Sequence, residues 1–456
     1  MSVMVPIAMF GWVPLTLLLF TVLPARRAVL VSFIGGWLLL PVASYSFAGL
    51  PDYTKISATC LSVLLGVVLF DAQRLLQIRF SFIDIPIVIW CLVPLPSGLA
   101  AGLGPYHAVS AVLNQTITWG VPYLIGRAYF NDAESRRELL TGLVLGGMLY
   151  VPLCWYEIRM SPKLHYQVYG YIQHVWAQTI RYGGWRPMVF LQHGLALGAW
   201  MMSASVAALW LWRTRPASRI HDVPIGWLAA VLVVTTVACK STGSILLMLL
   251  GIGAVLLSRW NLTRLAVLGL ALTVPAYMAG RTLNLVTADD LVSLVRPVLS
   301  EARVGSFRGR LEQEDVLAAH AMARPLLGWG PWGDFRVSLS GESLVKATDG
   351  LWIITLGKYG LIGLAALSMT VLLPALRIAT ETSPALRGPP RGSAEPGLAL
   401  LLVLFLADNL MNANPNPLFA IIMGGIGYSP VFSRSHQAAR STDWYLITPD
   451  QQVETT

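Results

Sequence analysis

Long apolar runs, empty of charge at their centres, recur along almost the whole of this 456-residue chain. A helix crossing a bilayer needs about 20 mostly apolar residues to cover about 30 Å of hydrocarbon. Runs of this kind cover residues 5–23, 28–47, 57–70, 83–99, 109–125, 139–156, 190–212, 225–239, 244–257, 262–278, 351–372, 398–410 and 418–431. They predict an all-α, polytopic transmembrane bundle of about 12–13 spans. Several runs are short, which points to one tilted or re-entrant segment. The Gly- and Pro-rich stretch 94–105 reads as a turn.

Composition closes the soluble alternative. Only 12% of residues are charged, against about 25% in soluble domains, which is too little polar surface to coat a particle of this size. The net charge of +9 invites a nucleic-acid reading, but there is no Lys/Arg-rich run to track a phosphate backbone. The arginines instead fall in alternate connections: Arg26 and Arg27; Arg74 and Arg79; Arg127, Arg136 and Arg137; Arg213, Arg215 and Arg219; Arg259 and Arg264; Arg377, Arg387 and Arg391; Arg434 and Arg440. The positive-inside rule puts those connections in the cytoplasm, with the C-terminus inside and, for an odd count, the N-terminus outside. The start of the chain lacks the basic region of a signal peptide and reads as a first span that stays. Cys60, Cys91, Cys154 and Cys239 lie in or beside apolar runs, without metal-ligand spacing, as small core hydrophobes.

Two connections are long, and both fall on the outer face. They divide the chain into an N-terminal bundle (1–279) with an outer loop at 157–189, a cap loop (280–350), C-terminal helices (351–433) and a cytoplasmic tail (434–456). Loops of this length are usually functional or disordered, and these are too aromatic and amphipathic for disorder.

Ionisable residues are nearly absent from the middles of the runs; Asp84, Lys358 and Asp408 lie nearer their ends. Ion-coupled carriers keep such groups near the midplane, so this pattern counts against one. No Walker-type loop and no HExxH occurs; no cofactor or metal is expected. The first outer loop gathers Arg159, Lys163, His165, His174, Arg181, Arg186 and His193 among Tyr and Trp. These residues would serve equally as an interfacial belt of aromatics and snorkelling cations or as a site for an anionic headgroup. Guanidinium forks match phosphate oxygens. In the second reading Arg181 and Arg186, flanking Gly183 and Gly184, would hold the anion, with Tyr182, Trp185 and His193 beside a sugar. In the cap loop, residues 309–323 suit an amphipathic helix with Arg310 and Glu314 at i, i+4, stopped by Pro325. Arg308 and Arg310 could face phosphate, and His320 could be catalytic or merely a structural hydrogen-bonder. Asp349, opening the next run, could cap a helix or act as a general base.

The order of Gly309–Arg310, then Pro325, Gly328 and Gly330, then G-L-x-G-L from Gly360 to Leu364 resembles the O-antigen ligase and polymerase superfamily of bacterial envelope proteins. The stretch VPYLIGRAYFNDAESRRELL is similar to that family's earlier tyrosine- and arginine-bearing helix end. The resemblance implies a GT-C-like glycosyltransferase in the bacterial inner membrane. It would move a glycan from an undecaprenyl-diphosphate-linked donor to a glycan or lipid acceptor at the periplasmic face, without metal or cofactor. Arg310 is the position that carries over best as a diphosphate-binding arginine. Family members commonly have a histidine just before the span that follows the long loop; here Thr348–Asp349 stands there. Asp349, His320 or His193 would have to take that role. A transporter or flippase of a lipid-linked sugar or small anion, and a non-catalytic component of exopolysaccharide assembly, remain the alternatives.

Overall fold

The computed structural model describes residues 2–47, 49–256, 260–297, 301–332, 350–380 and 393–427. Among these the architecture is an all-α bundle, with strand confined to three two-residue hairpin pairs. The helices that matter below are α1 (Met4–Val22), α2 (Ala25–Leu39), α3 (Lys55–Phe70), α4 (Val121–Tyr129), α5 (Ala133–Met160), α6 (Gly194–Thr214), α7 (Ile225–Ala238), α8 (Thr242–Leu256), α9 (Trp260–Thr282), α10 (Glu301–Ala321), α11 (Leu351–Thr380), α12 (Glu395–Met411) and α13 (Pro417–Gly427).

Among the described residues, six helices are long and apolar enough to cross a membrane: Met4–Val22, Phe82–Ala100, Ala133–Met160, Gly194–Thr214, Thr263–Thr282 and Leu351–Thr380. Lys55–Phe70, Ile225–Ala238, Thr242–Leu256 and Pro417–Gly427 are shorter apolar helices. Each of the thirteen apolar runs contains helix, but the helices do not cover every run in full: residues 40–47 and 190–193 lie outside them. The run at 28–47 ends its helix at Leu39, before Pro41, and the run at 109–125 passes through a π turn at Thr116–Gly120.

Helix α6 is the axis. Sixteen of its residues are buried, many of them Gly, Ala or Ser, and it packs against α5, α7, α8 and α12. Small side chains let helix backbones approach closely where lipid offers no hydrophobic drive to associate.

The bundle has two arginine-bearing faces. On the first, Arg127 lies 2.8 Å from Asp84, both buried, and Tyr123 donates to the same carboxylate at 2.7 Å. Arg136, near the start of α5, pairs with Glu395 at the start of α12 and donates to the Gly425 carbonyl in the last turn of α13. Arg26 at the start of α2 lies 2.7 Å from Glu138. These arginines all come from connections that the alternation assigned to one side.

The second face carries the long connection at 157–189 and the described part of the 280–350 segment. At the end of α5 the buried Glu157 accepts N–H bonds from Leu164, Met188 and Val189 at 2.8–3.0 Å, and so ties down both ends of the loop. His165 anchors its middle: Nδ1 donates to the Tyr171 carbonyl at 2.9 Å and Nε2 accepts from the Val42 N–H at 3.2 Å. That tautomer requires a neutral ring, and burial pushes its pKa down to about 4.

The glycine motifs of the cap form one device. Helix α11 breaks at Gly360, which sits at φ 63°. The break frees backbone groups to pair with the strap after Pro325: Trp329 N–H to the Gly357 carbonyl (2.9 Å), Gly330 N–H to Lys358 (3.0 Å) and Leu361 N–H to Pro325 (2.7 Å). Gly328 and Gly330 also need positive φ, and a Cβ on Gly360 would run into the Leu326 carbonyl. These glycines are spaced as they are because two backbones must touch.

Candidate anion site

Arg181 and Arg186 leave a short hairpin, β1 (Ile180–Arg181) and β2 (Gly184–Trp185), whose turn residues Tyr182 and Gly183 sit at φ 48° and 67°. Two consecutive positive φ values make the tight turn whose twist suits a hairpin. Gly183 and Gly184, which in sequence lie between the two arginines and would let backbone approach a ligand closely, have other duties. Gly183 serves the turn, and Gly184 makes room for Lys240, whose Nζ would collide with a Cβ there.

Beyond the hairpin, Arg186 is buried against the first turn of α6. A Cβ on Gly194 would lie 2.5 Å from its Nε. Its Nη2 donates to Ser241 Oγ at 3.2 Å, while Nε and Nη1 have no acceptor among the described residues. A buried donor left unpaired costs about 1–3 kcal/mol, more when charged. The surroundings add to the cost. Burial, then Arg181, with smaller effects from Arg310 and Arg303, push the Arg186 pKa down to about 9; Cys239 opposes slightly. Arg181 is lowered too, by burial and then by Arg303 and Arg310. Like charges gathered in a partly buried site repel more strongly than they would in water. Among the described residues no carboxylate pairs with Arg181, Arg186 or Arg303. The α6 N-terminus beside Arg186 adds the positive end of a helix dipole. The local field strongly favours a bound anion.

Arg303 was not anticipated, although its signal was there. It precedes Arg310 by seven residues on α10, two turns along one helical face. Arg308 stands about 160° around the helix from Arg310 at about 100° per residue, and it is engaged elsewhere. Its Nη2 lies 2.7 Å from Asp289, beside a separate, open cavity lined by Val292, Ser293 and Arg296. Arg310 donates to the Met411 carbonyl at the end of α12 at 3.4 Å and lines a narrow cavity with Glu314, Gly350 and Ile353. The expected helix around it is real but runs from Glu301 to Ala321. Glu314 turns toward Arg281 (3.6 Å) and accepts from Tyr277 (2.7 Å); burial raises its pKa against the pull of both.

The aromatic and histidine candidates divide. Tyr182 joins the site's edge: the Arg303 guanidinium carbon is 4.8 Å from its ring centre, and its hydroxyl bonds Thr242 at 2.8 Å. Trp185 packs on Trp176 at 5.4 Å. His193 is the N-cap of α6, with Nδ1 accepting from the Leu195 N–H at 2.9 Å and Nε2 facing Gln178 Oε1 at 3.0 Å. Burial, then Arg186, His174, Arg181 and Arg310, push its pKa down to about 3, so it is neutral in any physiological range. His320 stacks on Trp329 at 4.1 Å, where it fastens the cap helix to the strap. Asp349 lies outside the described residues; its neighbour Gly350 lines the Arg310 cavity. Among the described residues, no group of three or more His, Cys, Asp or Glu is placed to hold a metal.

No family model, curated protein or solved structure matches the chain. What its residues do must be argued from their chemistry.

Proposed function

We propose that this protein is a membrane-embedded glycan transferase of the O-antigen ligase or polymerase kind. In this reading it takes its sugar from an undecaprenyl-diphosphate-linked donor at the periplasmic face. The observation that supports it is the cluster of Arg181, Arg186, Arg303 and Arg310, with Arg186 buried and two of its nitrogens, Nε and Nη1, without an acceptor among the described residues. A diphosphate answers those donors and offsets the mutual repulsion. As the bond between the sugar and the diphosphate breaks, negative charge grows on the leaving oxygen, and preorganised guanidinium groups stabilise it more than they stabilise the intact donor. The acceptor hydroxyl must lose a proton. Asp349 is the proposed base, and Gly350 beside it lines the cavity that Arg310 shares. The lipid tail would lie along the apolar helices.

The test is the product. Proteoliposomes carrying the protein and a lipid-diphosphate-linked oligosaccharide should release undecaprenyl diphosphate when acceptor is added. Arg186→Ala and Arg310→Ala should each lower that release by about a hundredfold. Donor that crosses the bilayer unchanged, with no lipid diphosphate released, would establish a flippase and end this reading.

A further inference from the structure

The buried acid that the anion site does not use is Asp408, in the last turn of α12. It is 3% exposed and, among the described residues, has no cationic partner. An unpaired carboxylate in a bundle core costs several kcal/mol and persists only with compensation. What faces it is a group of amide side chains. Asn412 Nδ2 donates to one carboxylate oxygen at 2.9 Å and Asn414 Nδ2 to the other at 3.2 Å. Asn412 is itself 6% exposed, and its Oδ1 has no donor. Because its Nδ2 bonds the carboxylate, that oxygen lies within a few ångströms of Asp408. Ser203, Asn414 and Asn416 line the adjoining cavity between α2, α6, α12 and α13, walled by Trp37 and Trp200. The cavity holds about 10 Å³, space for about one water-sized occupant.

We infer that Asp408, Asn412 and their neighbouring oxygens form a binding site for a small monovalent cation, of sodium size. One carboxylate balances one positive charge; a divalent ion usually gathers more carboxylates. Hard cations take oxygen ligands, and the C-terminal end of α12 presents the negative end of its dipole to the same place. This site does not depend on glycan transfer. It ties the α12 end, whose Met411 carbonyl Arg310 reaches, to the central helix α6.

The experiment uses the full chain in lipid nanodiscs, titrated with sodium chloride against choline chloride at constant ionic strength, since salt also screens the arginine cluster. Tryptophan fluorescence, to which Trp37 and Trp200 contribute, and the thermal midpoint are read together. Sodium should give a saturable change absent with choline. Asp408→Asn, which keeps the shape, should abolish it, and Asn412→Ala should weaken it by about tenfold or more. Ser203→Ala provides a second ligand-side variant should Asp408→Asn fail to fold. Equal responses to sodium and choline, or a sodium response unchanged in these variants, would overturn the inference.

Discussion

Arg127 and Arg136, buried on one face of the bundle, each meet a carboxylate; Arg181, Arg186 and Arg303, on the other, meet none among the described residues. The helices are the same: α5 begins at the paired face and ends at the unpaired one, and α12 does likewise. The difference is therefore local. On the paired face each guanidinium fastens helix ends together, as Arg136 does for α5, α12 and α13. On the unpaired face the hairpin, the α6 N-cap and the cap helix bring Arg181, Arg186 and Arg303 together, and among the described residues no carboxylate pairs with them, although Glu314 and Asp315 on the same cap helix neutralise Arg281. A fold does not gather like charges for stability. The expense points to a ligand.

The largest effect should come from breaking the paired face. Asp84→Ala leaves Arg127 buried without its carboxylate and strips Tyr123 of its acceptor, for a loss of about 3–5 kcal/mol. A thermal midpoint measured in nanodiscs reads it, and pyrophosphate binding in the surviving folded fraction should be unaltered. The unpaired face should behave in the opposite way. Arg186→Met removes an uncompensated cation, so the midpoint should hold or rise, while affinity for inorganic pyrophosphate falls by about 10- to 100-fold, the ~1.5–3 kcal/mol of a charge-assisted bond. A stability loss as large as that of Asp84→Ala would show that Arg186 is a structural group.

Acid separates the faces by a smaller margin. His193 and His165 are held neutral, at about 3 and about 4 against an ordinary 6.5. The unfolded chain binds those protons first, so stability is full above about 6.5 and falls as pH drops toward 4 and then 3. His193→Gln and His165→Gln should flatten that loss; a midpoint equally steep in wild type and both variants would refute it. The smallest change belongs to Arg308→Ala. Its pair with Asp289 is exposed, worth about 0–1 kcal/mol, and pyrophosphate affinity should stay within about twofold. A large loss would put Arg308 back in the site.

Much of this was written in the sequence. Apolar runs set the helices, because lipid leaves the backbone few other solutions, and Arg181, Arg186 and Arg310 stood out by type and place. Run lengths were less legible: the chain leaves the helix before Pro41 inside a run that hydropathy alone extends, whereas the run at 109–125 sits in helical backbone that continues through the π turn at Thr116–Gly120. Charge partners were least legible of all. Glu314 suggested an i, i+4 partner on its own helix, yet Arg281 and Tyr277 reach it from α9. Arg308 looked equivalent to Arg310 until the helix turned it toward Asp289. Gly360 and Gly328 read as a family pattern, and only the paired backbones show why glycine is needed.

The account turns on whether the arginine cluster binds a diphosphate. Calorimetric titration of the nanodisc-embedded protein with inorganic pyrophosphate, at low and high salt, asks this directly. Saturable one-site binding that weakens with salt and vanishes in the Arg181→Met, Arg186→Met double variant is the expected result. Heats no different from sulfate, or binding untouched by the double variant, would contradict it.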